Sequence, residues 1–93
     1  MRESAFQKKV VTFLKQKRIW YVKYWAGSQF TKEGVPDILA CINGKFHGIE
    51  LKTDTGTPSK LQLYNIRKIK ESGGEAYILR PKDYDAWKEK WFK

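Results

Sequence analysis

Asp37, Glu50 and Lys52 are the residues of this chain best suited to chemistry, because one hairpin should bring all three to one face. Ile38-Leu39-Ala40-Cys41-Ile42 and the run from Lys45 to Lys52 flank Asn43-Gly44, the strongest short-range signal for a two-residue turn between twisted antiparallel strands. Such a turn sets the register: Ile42 faces Lys45, Cys41 faces Phe46, Leu39 faces Gly48, and Asp37 faces Glu50. Side chains alternate between faces, so Asp37, Leu39 and Cys41 share one with Phe46, Gly48, Glu50 and Lys52. Opposed residues hold their Cβ atoms roughly 4.5–5.5 Å apart, and like charges so placed repel. Two carboxylates side by side at the edge of an apolar face call for a cation. Lys52 supplies part of it, and a divalent metal is the natural remainder. An ordinary hairpin can also end in two solvated acids. Three charged groups on a face otherwise apolar or glycine favour the chemical reading.

The elements that must position these groups fit into one domain. The chain has 93 residues, with 19 Lys and Arg against 10 Asp and Glu, a formal charge of +9 and a pI near 9.7. We read residues 1–93 as a single domain. So large a positive excess on so small a body points to a polyanion partner, nucleic acid first and an anionic membrane second. The single cysteine, Cys41, excludes an internal disulfide and a cysteine-rich zinc site, and its place in an apolar strand predicts a buried small hydrophobe. The single histidine, His47, is predicted on the face opposite the acids. No apolar stretch is long enough for a membrane span, and Met1-Arg2-Glu3 is no signal-peptide start, so the expectation is a soluble, cytoplasmic protein.

Along the chain, Phe6, Val10, Phe13 and Leu14 recur at helical spacing and predict a helix from about Ser4 to Lys17, with Ser4 and Gln7 as a weak capping box. Glu3 lies seven residues before Val10 and projects over the same stripe if the helix includes it; it also suits the helix dipole at an N-terminus. Ile19 to Ala26, rich in aromatic and β-branched residues, predicts a strand, and a polar loop from Gly27 to Gly34 leads to Pro36-Asp37. Thr57-Pro58 predicts the cap of a second helix running to Glu71, with Leu61, Leu63, Ile66 and Ile69 as its stripe and Gln62 near the centre of that stripe. A glutamine facing the core needs a partner, either a neighbouring strand or the site itself. Ala76-Tyr77-Ile78-Leu79 predicts a strand, plausible as a central one, reached by a helical crossover. Pro81 opens a last helix carrying Tyr84, Trp87 and Trp91, a stripe that serves either the core or an interface. The expected fold is α/β, order α-β-β-β-α-β-α, a mixed sheet flanked by helices.

Pro36-Asp37 followed, after twelve intervening residues, by Glu50-Leu51-Lys52 resembles the Pro-Asp…Glu-x-Lys signature of the restriction-endonuclease-like nuclease superfamily. The element order resembles its common core. Gly34-Val35-Pro36-Asp37, the short hairpin, Glu50-Leu51-Lys52, Gln62 on the next helix and Gly73-Gly74 before an apolar strand are most similar to the virus-type replication-repair nuclease (VRR-NUC) domain, in a minimal stand-alone form of the kind found in phages. The resemblance spans nearly the whole chain.

It implies Mg²⁺ or Mn²⁺ held by Asp37 and Glu50, with the Leu51 backbone carbonyl and Glu3 as further ligands. Lys52 would orient water or neutralise phosphate charge, and Gln62 would position Lys52 or a phosphate. The reaction implied is hydrolysis of DNA leaving a 5′-phosphate. Lys8, Lys9, Lys15, Lys32, Lys60, Arg67, Lys68 and Lys70 are candidate phosphate contacts, and no base-reading motif is present. Stand-alone relatives resemble dimeric four-way-junction resolvases, so the expected protein is a homodimeric, structure-selective endonuclease for Holliday junctions. The alternatives are a nuclease subunit of a larger replication or restriction complex, and a non-catalytic nucleic-acid-binding module.

Overall fold

The computed structural model describes residues 1–25 and 32–93. The chain runs α1 (Glu3–Gln16), β1 (Tyr21–Lys23), β2 (Ile38–Ile42), β3 (Lys45–Leu51), α2 (Lys60–Glu71), β4 (Glu75–Leu79), one 3₁₀ turn (Pro81–Asp83) and α3 (Tyr84–Trp91). The expected order of elements is the order found. Most of the polar loop from Gly27 to Gly34 lies outside the described residues, as does Ala26.

The hairpin forms in the register its turn dictates. Ile42 pairs with Lys45, Cys41 with Phe46, Leu39 with Gly48 and Ile38 with Ile49. Asn43 (φ 53°) and Gly44 (φ 78°) both adopt the left-handed conformation that a two-residue turn of this hand requires. The Asn43 amide donates to the Trp91 carbonyl at 2.9 Å, tying the turn to the end of α3.

The sheet order is β1-β2-β3-β4, antiparallel except for the parallel pair β3–β4 that α2 connects. β4 is therefore an edge strand, not a central one. Its apolar run reflects helices on both faces rather than strands on both sides. β1 is shorter than its composition suggested. Three residues pair with β2, and single bonds extend the pairing at each end, from Cys41 N–H to the Trp20 carbonyl and from Tyr24 N–H to the Asp37 carbonyl.

α1 and α3 cover one face of the sheet. Phe6, Val10 and Leu14 pack on Ile38, Ala40, Ile42, Ile49 and Leu51, and Tyr84 and Trp87 close the same core. Phe13 meets Tyr84 and Trp87 edge-on with ring centroids 6.2 and 5.7 Å apart, an arrangement favoured by about 0.5–1.5 kcal/mol per pair beyond burial. The stripe on α3 thus serves the core of its own subunit. His47 is buried on this face, away from the acids, where its Nδ1 and the Trp87 indole N–H both meet the Tyr77 hydroxyl at 2.8 Å. Burial lowers the pKa of His47. α1 begins one residue earlier than expected, with Arg2 as its cap and Ser4 already inside the first turn, so the Ser4–Gln7 capping box does not form.

α2 lies on the other face, chiefly over β3 and β4. On the uncovered half, Cys41 is exposed rather than buried, beside exposed Val22 and Phe46. No helix among the described residues is long and apolar enough to cross a membrane.

Candidate active site

Asp37 leaves the sheet just before β2, and Glu50 and Leu51 close β3, so the acids meet where the hairpin opens. The Leu51 N–H donates to Asp37 Oδ2 at 2.9 Å, locking one carboxylate to the backbone next to the other. Glu50 is 2% exposed. Its Oε2 accepts from Gln62 Nε2 at 3.0 Å and lies 3.9 Å from the Lys52 ammonium. Its Oε1 is buried, with no geometric hydrogen-bond partner among the described residues. Burial chiefly, then the charge and close approach of Asp37, raise the pKa of Glu50 to about 8, with Lys52 opposing and Glu3 adding to the rise.

α2 supplies Gln62 through its cap. Ser59, not the pair Thr57-Pro58, caps the helix. The Ser59 hydroxyl accepts from the Gln62 N–H at 3.1 Å, and Gln62 Oε1 accepts from the Ser59 N–H at 2.8 Å. Gln62 therefore uses its oxygen for the cap and its nitrogen for Glu50 on the neighbouring strand β3. The inward face of α2 runs through Gln62, Asn65, Ile66 and Ile69. Leu61 and Leu63, expected inside, are 44% and 47% exposed. In this rotation Gln62 reaches Glu50 and Asn65 is buried.

Glu3 sits in the first turn of α1, near enough to act on Glu50 electrostatically. It does not join Asp37 and Glu50 in a compact three-acid cluster, for none exists among the described residues. Lys52 is half-buried, and the turn behind it is held by a residue that sequence reasoning missed. Arg80 donates to the carbonyls of Thr53 at 2.6 Å and Gly56 at 2.8 Å. An arginine ending a strand in register with β3 was its one visible signal.

A buried carboxylate beside a second carboxylate offers hard oxygen donors, the kind that suit Mg²⁺ or Mn²⁺. The shift of Glu50 has a testable consequence. Folding retains a proton that the unfolded chain releases near the ordinary 4.5, so the contribution of Glu50 to stability is fully present below that pH and is lost as pH rises through about 8. In chelator, the melting temperature of the protein should fall between about pH 5 and about pH 9, and Glu50→Gln should flatten that decline. Identical profiles for the two proteins would refute this account of the carboxylate.

A four-stranded mixed sheet between helices, in the order α-β-β-β-α-β-α, is the architecture of the restriction-endonuclease-like fold. Residues 1–90 match the family described as archaeal Holliday junction resolvase (Hjc), and the chain belongs to that family. No curated protein matches the chain.

Proposed function

We propose that the protein is a metal-dependent, structure-selective DNA endonuclease that resolves Holliday junctions as a homodimer, with Mg²⁺ or Mn²⁺ as its cofactor. One observation supports the metal dependence above the rest: Glu50, a carboxylate only 2% exposed, lies beside Asp37 with an oxygen that has no geometric hydrogen-bond partner among the described residues. Asp37 and Glu50 are the protein ligands, the Leu51 carbonyl a third, and Glu3 acts through water. The ion, when bound, supplies a Lewis acid for the scissile phosphate and a water of lowered pKa. Lys52, whose ammonium lies beside Glu50, orients that water or offsets charge developing on the phosphate. Gln62 holds Glu50 in place. Hydrolysis leaves a 5′-phosphate, as the superfamily signature implies.

Substrate binding rests on the basic surface. Ser4, Gln7, Lys8, Val11, Lys15 and Lys23 are among the residues that line a groove along α1. Lys9, Lys32, Lys60, Arg67, Lys68 and Lys70 are also exposed. Dimerisation is supported by symmetry. A four-way junction needs two cuts, and each chain holds one acid pair. The apolar strip of Val22, Leu39, Cys41 and Phe46 carries no charge on a molecule of net charge +9, which makes it the natural meeting place of two copies. The likeness to minimal phage nucleases of the virus type rests on the motif string alone, and a cytoplasmic setting follows from DNA as substrate.

The test is cleavage of a four-way junction, a flap, a nicked duplex and a linear duplex in Mg²⁺, Mn²⁺ or chelator. Paired symmetric cuts near the junction centre are expected with either metal and none in chelator, from a species of twice the chain mass by sedimentation. Junction binding with no metal-dependent cutting would defeat the proposal.

A further inference from the structure

Asn65 lies three residues beyond Gln62 on α2 and is buried, which costs free energy unless its amide is bonded. Its Nδ2 donates to the Leu61 carbonyl at 2.9 Å, within the helix, and to the Glu33 carbonyl at 3.4 Å, across to the segment that delivers Asp37. The two segments are in close contact there. Gly34 has φ +78°, and a Cβ on it would meet Leu61 Cγ at 2.6 Å and Asn65 Nδ2 at 2.8 Å. Pro36, also buried, continues the contact. A Cβ on Gly48 would meet Ile69 Cδ1 at 2.9 Å and Pro36 Cγ at 3.0 Å, so Pro36 and α2 converge on that glycine. At Glu33 and Gly34 the chain is therefore pressed on α2, and Pro36 and α2 flank the same glycine of β3. One turn earlier on the same helix, Gln62 grips Glu50.

We propose that Asn65 is a positioning residue for the metal site. With Gly34 it latches the segment bearing Asp37 to the helix whose Gln62 holds Glu50, so that one rigid element sets the separation of the two carboxylates. The inference rests on reading Asp37 and Glu50 as metal ligands. Mg²⁺ and ions like it demand near-ideal geometry, so a displacement of one ligand arm weakens the metal before it unfolds the protein. Partners that orient metal ligands are typically worth 10–100-fold in metal affinity.

The experiment compares wild type, Asn65→Ser and Gly34→Ala by calorimetric titration with Mn²⁺, melting in chelator, junction binding in chelator, and cleavage across Mn²⁺ concentrations. A serine here can keep the bond to the carbonyl four residues back, as Ser72 Oγ does with Lys68 at 2.8 Å, but it is too short to reach Glu33. Asn65→Ser should weaken Mn²⁺ about tenfold, leave junction affinity in chelator within about twofold, and recover cleavage at saturating Mn²⁺ to within about threefold. Gly34→Ala, which strains the latch from its other side, should match it, and the double variant should be less than additive. If Asn65→Ser does not fold, Gly34→Ala reads the same quantity. Wild-type Mn²⁺ affinity in either folded variant, including one that melts earlier, overturns the latch. Wild-type protein that binds no Mn²⁺ would overturn the metal-site reading itself, and the latch with it.

Discussion

Asp37→Asn is expected to lower junction cleavage at least about 1000-fold, with Mn²⁺ affinity falling and junction affinity in chelator unchanged. The substitution is nearly isosteric. The amide oxygen can still accept from the Leu51 N–H, a bond of 2.9 Å in the native protein, so the open end of the hairpin keeps its shape. What disappears is one of two charges that a divalent ion would need. Junction binding survives because it draws on exposed lysines spread over the surface. The same change should raise the melting temperature in chelator at a pH above about 8, since Glu50 is then ionised and Asp37 is the neighbour that most raises its pKa after burial itself. A stabilised, inactive protein is the signature of an acid kept for function at a cost in stability. Full cleavage by the folded variant, or loss of stability with activity intact, would make Asp37 a structural residue.

The hairpin was legible in the sequence almost residue by residue because its information is local. Asn43-Gly44 admits one turn type, and period-two alternation then assigns every facing pair and both faces. The same reasoning placed Asp37, Glu50 and Lys52 together, and His47 away from them. Errors arose wherever a distant element decided the outcome. The apolar strand predicts Cys41 inside, but among the described residues α2 packs on β3 and β4 and Cys41 is exposed. Helical periodicity predicts Leu61 and Leu63 inward, whereas α2 is rotated so that Gln62, Asn65, Ile66 and Ile69 face the sheet. β4 reads as a central strand because helices on both of its faces demand the same apolar run. Gly34, Asn65 and Arg80 act through pairings with Glu33, Leu61, Thr53 and Gly56 that only the folded chain brings together. No local pattern encodes such contacts.

Lys52→Ala should show the opposite division of effects from the Asp37 variant. Its ammonium lies 3.9 Å from Glu50 Oε2, so it shares the neighbourhood of the proposed cation without being a ligand. Like charges repel, and removing Lys52 takes a competitor away from the carboxylates. Mn²⁺ affinity should therefore hold within about threefold or improve slightly. Turnover should still fall by about 100–1000-fold if Lys52 acts as proposed, because a half-buried positive charge acts most strongly where negative charge develops in the transition state. Lys52→Arg should recover little. Guanidinium is planar and broad, and the turn behind this side chain is close: a Cβ on Gly56 would stand 3.5 Å from Lys52 Cδ, with Arg80 already occupying the carbonyls of Thr53 and Gly56. Calorimetry paired with single-turnover kinetics separates the roles. Metal binding lost in Lys52→Ala, with a normal cleavage rate once Mn²⁺ is saturating, would place the lysine in the binding of the ion and remove it from the chemical step.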